Sequence, residues 1–244
     1  EGNDLPDFNP DDEYLQEIKS PIFYAVQKNI NIQTGQPTIL DFDMQRISQR
    51  INIVFNIRTE GNIKREDLAA PIIELSGACG RFNIADACLD TTRLYRMAHQ
   101  VQPDEFTQTG EGTYRCVVHF HTLGVIPSAA KGHLNGPGIL QVALQVSTPQ
   151  LDSSGAPVVD EEGNPVKNSR YIYGAINPYD ELTAAQLIEV RDGKIYLRYS
   201  KEDVNIEITT PLVIKADQIV PNDTGMGWQP HDPTNPDDDI IIEI

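Results

Sequence analysis

With 36 acidic and 19 basic residues among 244, the chain carries a formal charge of −17, and an anionic surface of that size repels phosphate backbones and anionic lipid. Nucleic acid and a peripheral membrane helix are therefore poor candidates as partners, and no apolar run approaches the roughly 20 residues that cross a bilayer as a helix. With 39% hydrophobic residues the chain can build a substantial core, in one large all-β domain or two smaller ones.

The opening Glu1-Gly2-Asn3-Asp4-Leu5-Pro6-Asp7 lacks the basic-then-apolar order of a signal peptide, so any secretory signal or lipidated cysteine is expected outside this sequence. Residues 1 to about 20 are acidic and proline-containing and read as a lead-in. Ile22, Tyr24 and Val26, then Ile30 and Ile32, suggest one or two strands before a turn at Gln33-Thr34-Gly35-Gln36-Pro37. Ile51, Ile53, Phe55 and Ile57 alternate with Asn52, Val54, Asn56 and Arg58. Successive strand side chains point to opposite faces, so this spacing sets an apolar row on a core and a mostly polar row towards water.

Pro71–Leu75 is the next strand, and Ser76-Gly77-Ala78-Cys79-Gly80 reads as a turn or bulge because glycine tolerates positive φ. Phe82 and Ile84 resume a strand, Thr91–His99 is weakly periodic, and Glu111-Gly112 opens a strand over Thr113–Thr122. After a glycine-rich loop from Ser128 to Gly138, Leu140, Val142, Leu144 and Val146 again keep period two. Residues 149–168 carry turn sequences and form an exposed, protruding hairpin. Leu182–Leu187 is the best helix candidate, and Arg191-Asp192-Gly193-Lys194 is a hairpin turn. Val204–Ile208 and Leu212–Ile214 are strands, and a Pro- and Asp-rich coil leads to Ile240-Ile241-Ile242-Glu243-Ile244. Ten or more short strands at this spacing predict a mainly antiparallel sandwich, with no internal repeat evident.

His119 and His121, two apart on a strand, share a face and form the sharpest metal pair, but a third ligand must come from elsewhere, and two solvent-side residues are the plainer reading. Lys131–Gly138 lacks the Gly-Lys-Ser/Thr ending and the helix that a phosphate loop needs. The runs Asp11-Asp12-Glu13, Asp160-Glu161-Glu162 and Asp237-Asp238-Asp239 lack the spacing of a calcium loop. There is no Gly-x-Ser-x-Gly elbow, and Cys116 and His119, three apart on a strand, face opposite ways. Among Cys79, Cys88 and Cys116, one must stay unpaired within the chain; Cys79 and Cys88 are spaced to close a hairpin loop, and Cys116 packs as a small hydrophobe. No catalytic residue, metal or cofactor is expected, and the chain reads as a non-enzyme.

The final segment is more telling. Ile240, Ile242 and Ile244 share one face, with Ile241 and Glu243 on the other, and so apolar a strand must be covered. It is either the last strand of its own domain or an element exchanged between subunits.

The order of segments resembles the C-terminal half of Bacteroidia-type fimbrillin superfamily proteins, particularly minor or anchoring fimbrial subunits. The resemblance rests on Arg46–Ile57, on Ile73-Glu74-Leu75-Ser76-Gly77, and on Leu212–Pro221 followed by Gly225-Met226-Gly227-Trp228, and it covers about residues 20–244. It implies an all-β, antiparallel sandwich of transthyretin-like, Greek-key type with few short helices. Residues 1–38 would be an acidic lead-in and the tail of an N-terminal β domain, and 39–244 the sandwich. It further implies an exported, cell-surface protein of the outer membrane, lipid-anchored through an upstream cysteine. Its partners would be other fimbrial subunits joined by strand exchange through Ile240–Ile244, and a host or bacterial surface receptor. The alternative is an exported glycan-binding module in which Trp228, Tyr171, Tyr173 and Tyr179 stack against sugars.

Overall fold

The computed structural model describes residues 14–61, 63–198, 203–215, 218–222, 224 and 226–231. In chain order the strands are β1 (Phe23–Tyr24), β2 (Gln45–Arg46), β3 (Gln49–Glu60), β4 (Ile72–Cys79), β5 (Phe82–Asn83), β6 (Cys88–Leu89), β7 (Leu94–Gln100), β8 (Phe106–Gly110), β9 (Thr113–Thr122), β10 (Leu140–Pro149) and β11 (Lys167–Ile176). Helix α1 (Tyr179–Ala185) follows, then β12 (Ile188–Arg191), β13 (Lys194–Leu197), β14 (Asp203–Lys215), β15 (Gln218–Ile219) and β16 (Gln229–Pro230).

Two five-stranded sheets, β16-β11-β10-β4-β7 and β15-β14-β3-β9-β8, pack face to face, confirming the all-β sandwich. Alternation places the core as expected: Ile51, Ile53, Phe55 and Ile57 of β3 are all fully buried, and meet Leu140, Val142 and Leu144 of β10 in one cluster. Fully burying each such side chain stabilises the fold by about 1.5–3 kcal/mol. A smaller sheet, β12-β13-β6-β5, closes a second cluster around Cys79, Leu89, Leu123 and Leu197. The lead-in is attached to this cluster, because Tyr24 is buried there and donates from its hydroxyl to Ile84 O at 2.8 Å.

Three departures from the sequence reading have physical causes. First, β14 pairs with β3 in parallel, register Val204↔Ile51 to Lys215↔Glu60, inside a sheet whose other pairings are antiparallel. Residues 203–215 form one strand there, broken by an irregularity between Ile208 and Leu212. Second, β4 does not stop at Leu75: the Ser76–Gly77 feature is a bulge, one of the two forms expected, and the strand runs on through it to Cys79. Third, the helix starts at Tyr179, directly after Pro178, and ends at Ala185 with Gln186 in the left-handed region. Proline suits a helix start because its missing N–H is not needed there, and Asp180 and Glu181 complement the positive end of the first turn.

Candidate functional site

Strand β11 forms a ten-residue antiparallel pair with β10, from Lys167↔Pro149 to Ile176↔Leu140. On its other side, among the described residues, the only strand is β16, matched at Gly174↔Pro230 and Ala175↔Gln229, with His231 N–H then donating to Tyr173 O at 3.1 Å. β16 is antiparallel to β11, so from Gln229 to His231 it points in the direction of Lys167. Lys167–Tyr171 is the exposed part of that strand. Ile240–Ile244, the segment singled out for strand exchange, lies outside the described residues.

The four aromatics proposed for sugar stacking do not form one platform. Trp228 is 1% exposed, its ring centroid 5.1 Å from that of Phe55 in the core, and its Nε1–H donates to Thr210 O at 3.1 Å. An indole so enclosed presents no face to a ligand. Tyr171 and Tyr173 do stack, with centroids 6.3 Å apart on the outer face of β11, whereas Tyr179 opens α1 past the end of that strand.

The arm beyond β10 and β11 holds a feature the sequence reading missed. Leu151-Asp-Ser-Ser-Gly-Ala-Pro-Val158 and Val159-Asp-Glu-Glu-Gly-Asn-Pro-Val166 are two copies of one octapeptide turn. In each, the aspartate side chain accepts backbone N–H groups of its own loop: Asp152 Oδ1 from Ser154 and Ala156 at 2.8 and 2.9 Å, Asp160 Oδ1 from Glu162 and Asn164 at 3.0 and 2.8 Å. The Ser154 hydroxyl, 2.6 Å from Asp152 Oδ1, and then these backbone bonds hold Asp152 below the ordinary carboxylate range, and the Asn164 N–H does the most to lower Asp160. Gly155 and Gly163 take matching φ values of 83° and 84°. The three equivalent positions bond in a ring, Val158 N to Gln150 O, Val166 N to Val158 O and Gln150 N to Val166 O, each 2.8 Å. The repeated Asp-x-x-Gly-x-Pro-Val was the signal available in the sequence.

At the end of the β10–β11 ladder away from the arm, the outer face of the sheet buries polar groups. Glu74 is 1% exposed and Gln141 5%. Tyr14 Oη donates to Glu74 Oε1 at 2.6 Å, Arg96 lies 3.6 Å from Glu74 Oε2 and donates to Gln141 Oε1 at 3.0 Å, and Gln141 Nε2 lies 3.1 Å from His231 Nε2. This row ties the lead-in, β4, β7, β10 and the residue after β16 together. A buried carboxylate persists only when so partnered.

The histidines fall out differently from either sequence reading. His119 Nδ1 is 2.7 Å from Asn52 Oδ1, and Glu105 spans His99 (2.8 Å) and His119 (3.6 Å). Burial raises the Glu105 carboxyl, but the Gln102 N–H and the His99 hydrogen bond outweigh it and leave the group lowered. His121 is not a solvent-side residue: it is 8% exposed, because the lead-in crosses the outer face of β9, where Ile18 N–H donates to His121 O at 2.9 Å. Among the described residues no group of three or more His, Cys, Asp or Glu is placed to hold a metal ion.

All three cysteines are buried thiols, so Cys79 and Cys88 are not bridged. Burial pushes Cys79 up to about 12 and Cys116 higher still, far from the thiolate that a nucleophile requires. A cleft of about 660 Å³ beside β5, β6 and β13 is lined by Arg81, Asn83, Asp86, Asp90, Thr92 and Lys194. Its polar groups serve one another: Asp86 Oδ2 takes Lys194 Nζ and Asn83 Nδ2, both at 3.0 Å, and Asp90 Oδ1 takes the Thr92 N–H and hydroxyl at 3.0 and 2.6 Å.

No described helix is long and apolar enough to cross a membrane. In comparisons with family models, curated proteins and solved structures, nothing matches this chain.

Proposed function

We propose that this chain is a non-enzymatic subunit or anchor of a fimbria-like cell-surface appendage, joined to its neighbours by β-strand addition. The supporting observation is the lie of β16 on β11: Gln229–His231 run antiparallel on Tyr173–Ala175, in the direction of the exposed Lys167–Tyr171 part of that strand, some ten residues in sequence before an alternating apolar segment, Ile240, Ile242 and Ile244. A strand edge offers a row of backbone donors and acceptors to an incoming strand, and alternate side chains then choose the partner. Exposed apolar side chains in the stretch before β2, Ile32 and Ile39 at 77% and 84% together with Phe42 and Met44, suit contact with an adjoining subunit. The tandem-turn arm is exposed and tied by its own hydrogen bonds, which suits an adhesive loop. Export and a lipid anchor belong to the same reading.

Sedimentation velocity over a concentration series tests it. The full chain is expected to form larger species as concentration rises, and a chain lacking Ile240–Ile244 to stay monomeric. A full chain that remains monomeric throughout, or a shortened chain that assembles equally well, would refute strand addition by this segment.

A further inference from the structure

Asn135-Gly136 is the one Asn–Gly pair in the sequence, and it lies in the loop between β9 and β10. Leu134 is buried with Ile139 and Ala175, whereas Asn135 and Gly136 are exposed. The loop is tied down on both sides of the pair. His133 O accepts from Asn177 Nδ2 at 2.9 Å, Gly136 O accepts the Ser76 hydroxyl at 2.6 Å, and Gly138 N–H donates to Ser76 O at 3.0 Å. Between those ties, nothing among the described residues is hydrogen-bonded to the Asn135 side chain or to the Gly136 N–H. A carbon added at Gly136 would meet nothing within 4 Å, so no neighbour crowds the approach of the Asn135 carboxamide to the Gly136 nitrogen.

We propose that Asn135 is a self-modifying site, which converts to isoaspartate and in doing so unseats this loop from the β4 bulge. The Gly136 nitrogen, its proton taken by hydroxide, attacks Asn135 Cγ. A bond forms between that nitrogen and Cγ, the bond from Cγ to Nδ2 breaks, and ammonia leaves with a proton from water. Water then adds to either carbonyl of the succinimide ring. Opening between the nitrogen and Cγ gives aspartate. Opening between the nitrogen and the main-chain carbonyl carbon gives isoaspartate, with the chain now running through Cβ. The balance is one water in and one ammonia out, with nothing oxidised or reduced. Other asparagines are held back. Asn164 and Asn177 precede prolines, which have no N–H to attack with, and Asn83 and Asn222 spend their side-chain oxygens on the N–H groups of their own turns. Asn168 is fixed in the β10–β11 ladder. Isoaspartate adds one backbone atom and a negative charge to a span fixed at His133 and Gly138. The Ser76–Gly136 bond lies nearest the added atom and is the one lost, while Ser76 Oγ keeps the Ile139 N–H at 2.9 Å. This chemistry does not rest on the fimbrial reading.

Ageing the full chain at neutral and at mildly alkaline pH tests it, with isoaspartate labelled by an isoaspartate-specific methyltransferase and located by peptide mass spectrometry. Isoaspartate is expected at 135 several-fold sooner than at any other asparagine, and faster at the higher pH, because the attacking nitrogen must first lose its proton. In Asn135→Gln, whose longer side chain must close a larger and slower ring, labelling falls to background. Hydrogen exchange on the aged chain should show peptides spanning 128–138 losing protection several-fold while β3 and β9 keep theirs. No isoaspartate at 135, earlier conversion at another asparagine, undiminished labelling in Asn135→Gln, or unchanged exchange of the loop after conversion overturns the proposal.

Discussion

Replacing Trp228 with alanine will lower the stability of the sandwich by about 3–5 kcal/mol, the range for deleting a large buried aromatic. The indole is 1% exposed, packs on Phe55 with centroids 5.1 Å apart, and spends its N–H on Thr210 O. Its loss opens a cavity between the sheets and leaves the Thr210 carbonyl without that donor. In urea the midpoint should fall with the slope unchanged, since the surface exposed on unfolding hardly alters. For a domain near this size the melting temperature should drop by on the order of 10 °C. A surface residue that merely waited for a sugar would cost within about 0.5 kcal/mol on removal, so the measurement separates the two roles of the sole tryptophan.

Gly77→Ala is expected to be comparably damaging, at about 3–5 kcal/mol from backbone strain and overpacking together. Gly77 sits at the β4 bulge with φ 84°, and a Cβ there would lie 2.6 Å from Ile126 O, 2.7 Å from Gly138 N and 2.9 Å from Pro137 Cβ. Two of those three are backbone atoms held in place: Ile126 N–H donates to Gly77 O, and Gly138 N–H donates to Ser76 O. The loop therefore cannot retreat without breaking the bonds that seat it on β4. Gly163→Ala provides the internal contrast. Its φ is 84° as well, but nothing lies within 4 Å of the added carbon, so only the left-handed penalty of about 1–2 kcal/mol remains. Urea unfolding of both variants should separate strain from collision; equal losses would mean that the close approach at Gly77 is relieved by movement.

What could be read in the sequence was whatever obeys a local period. β3 has one face in the core and the other outside it, so Ile51–Ile57 declares itself, and the Asp192-Gly193 turn between β12 and β13 follows from residues that accept positive φ. Partner choice leaves no such trace. Nothing in Val204–Ile208 says that it will lie parallel to Ile51–Phe55, because alternation specifies a face and not a neighbour. Alternation alone turns the polar residues of a half-buried strand towards water, yet Glu74, Gln141 and His121 are buried. Each is covered or partnered by segments distant in sequence, Tyr14 with Glu74 and Ile18 with His121. Trp228 was ambiguous because it stands in a glycine-rich run with no period to orient it. The tandem octapeptide escaped notice because its period of eight is far below the roughly 20–50 residues of repeat architectures.

Strand addition at β11 is the claim on which the functional account rests, and site-directed disulfide trapping tests it most directly. One preparation carries Ser169→Cys on the exposed part of β11, a second carries Ile242→Cys, and the two are mixed under mild oxidation; the native thiols, being buried, stay silent. The account predicts a covalent dimer that contains one chain of each kind and that competes away with excess unlabelled chain. Absence of that mixed dimer, with both preparations folded and both new thiols reactive, would contradict it.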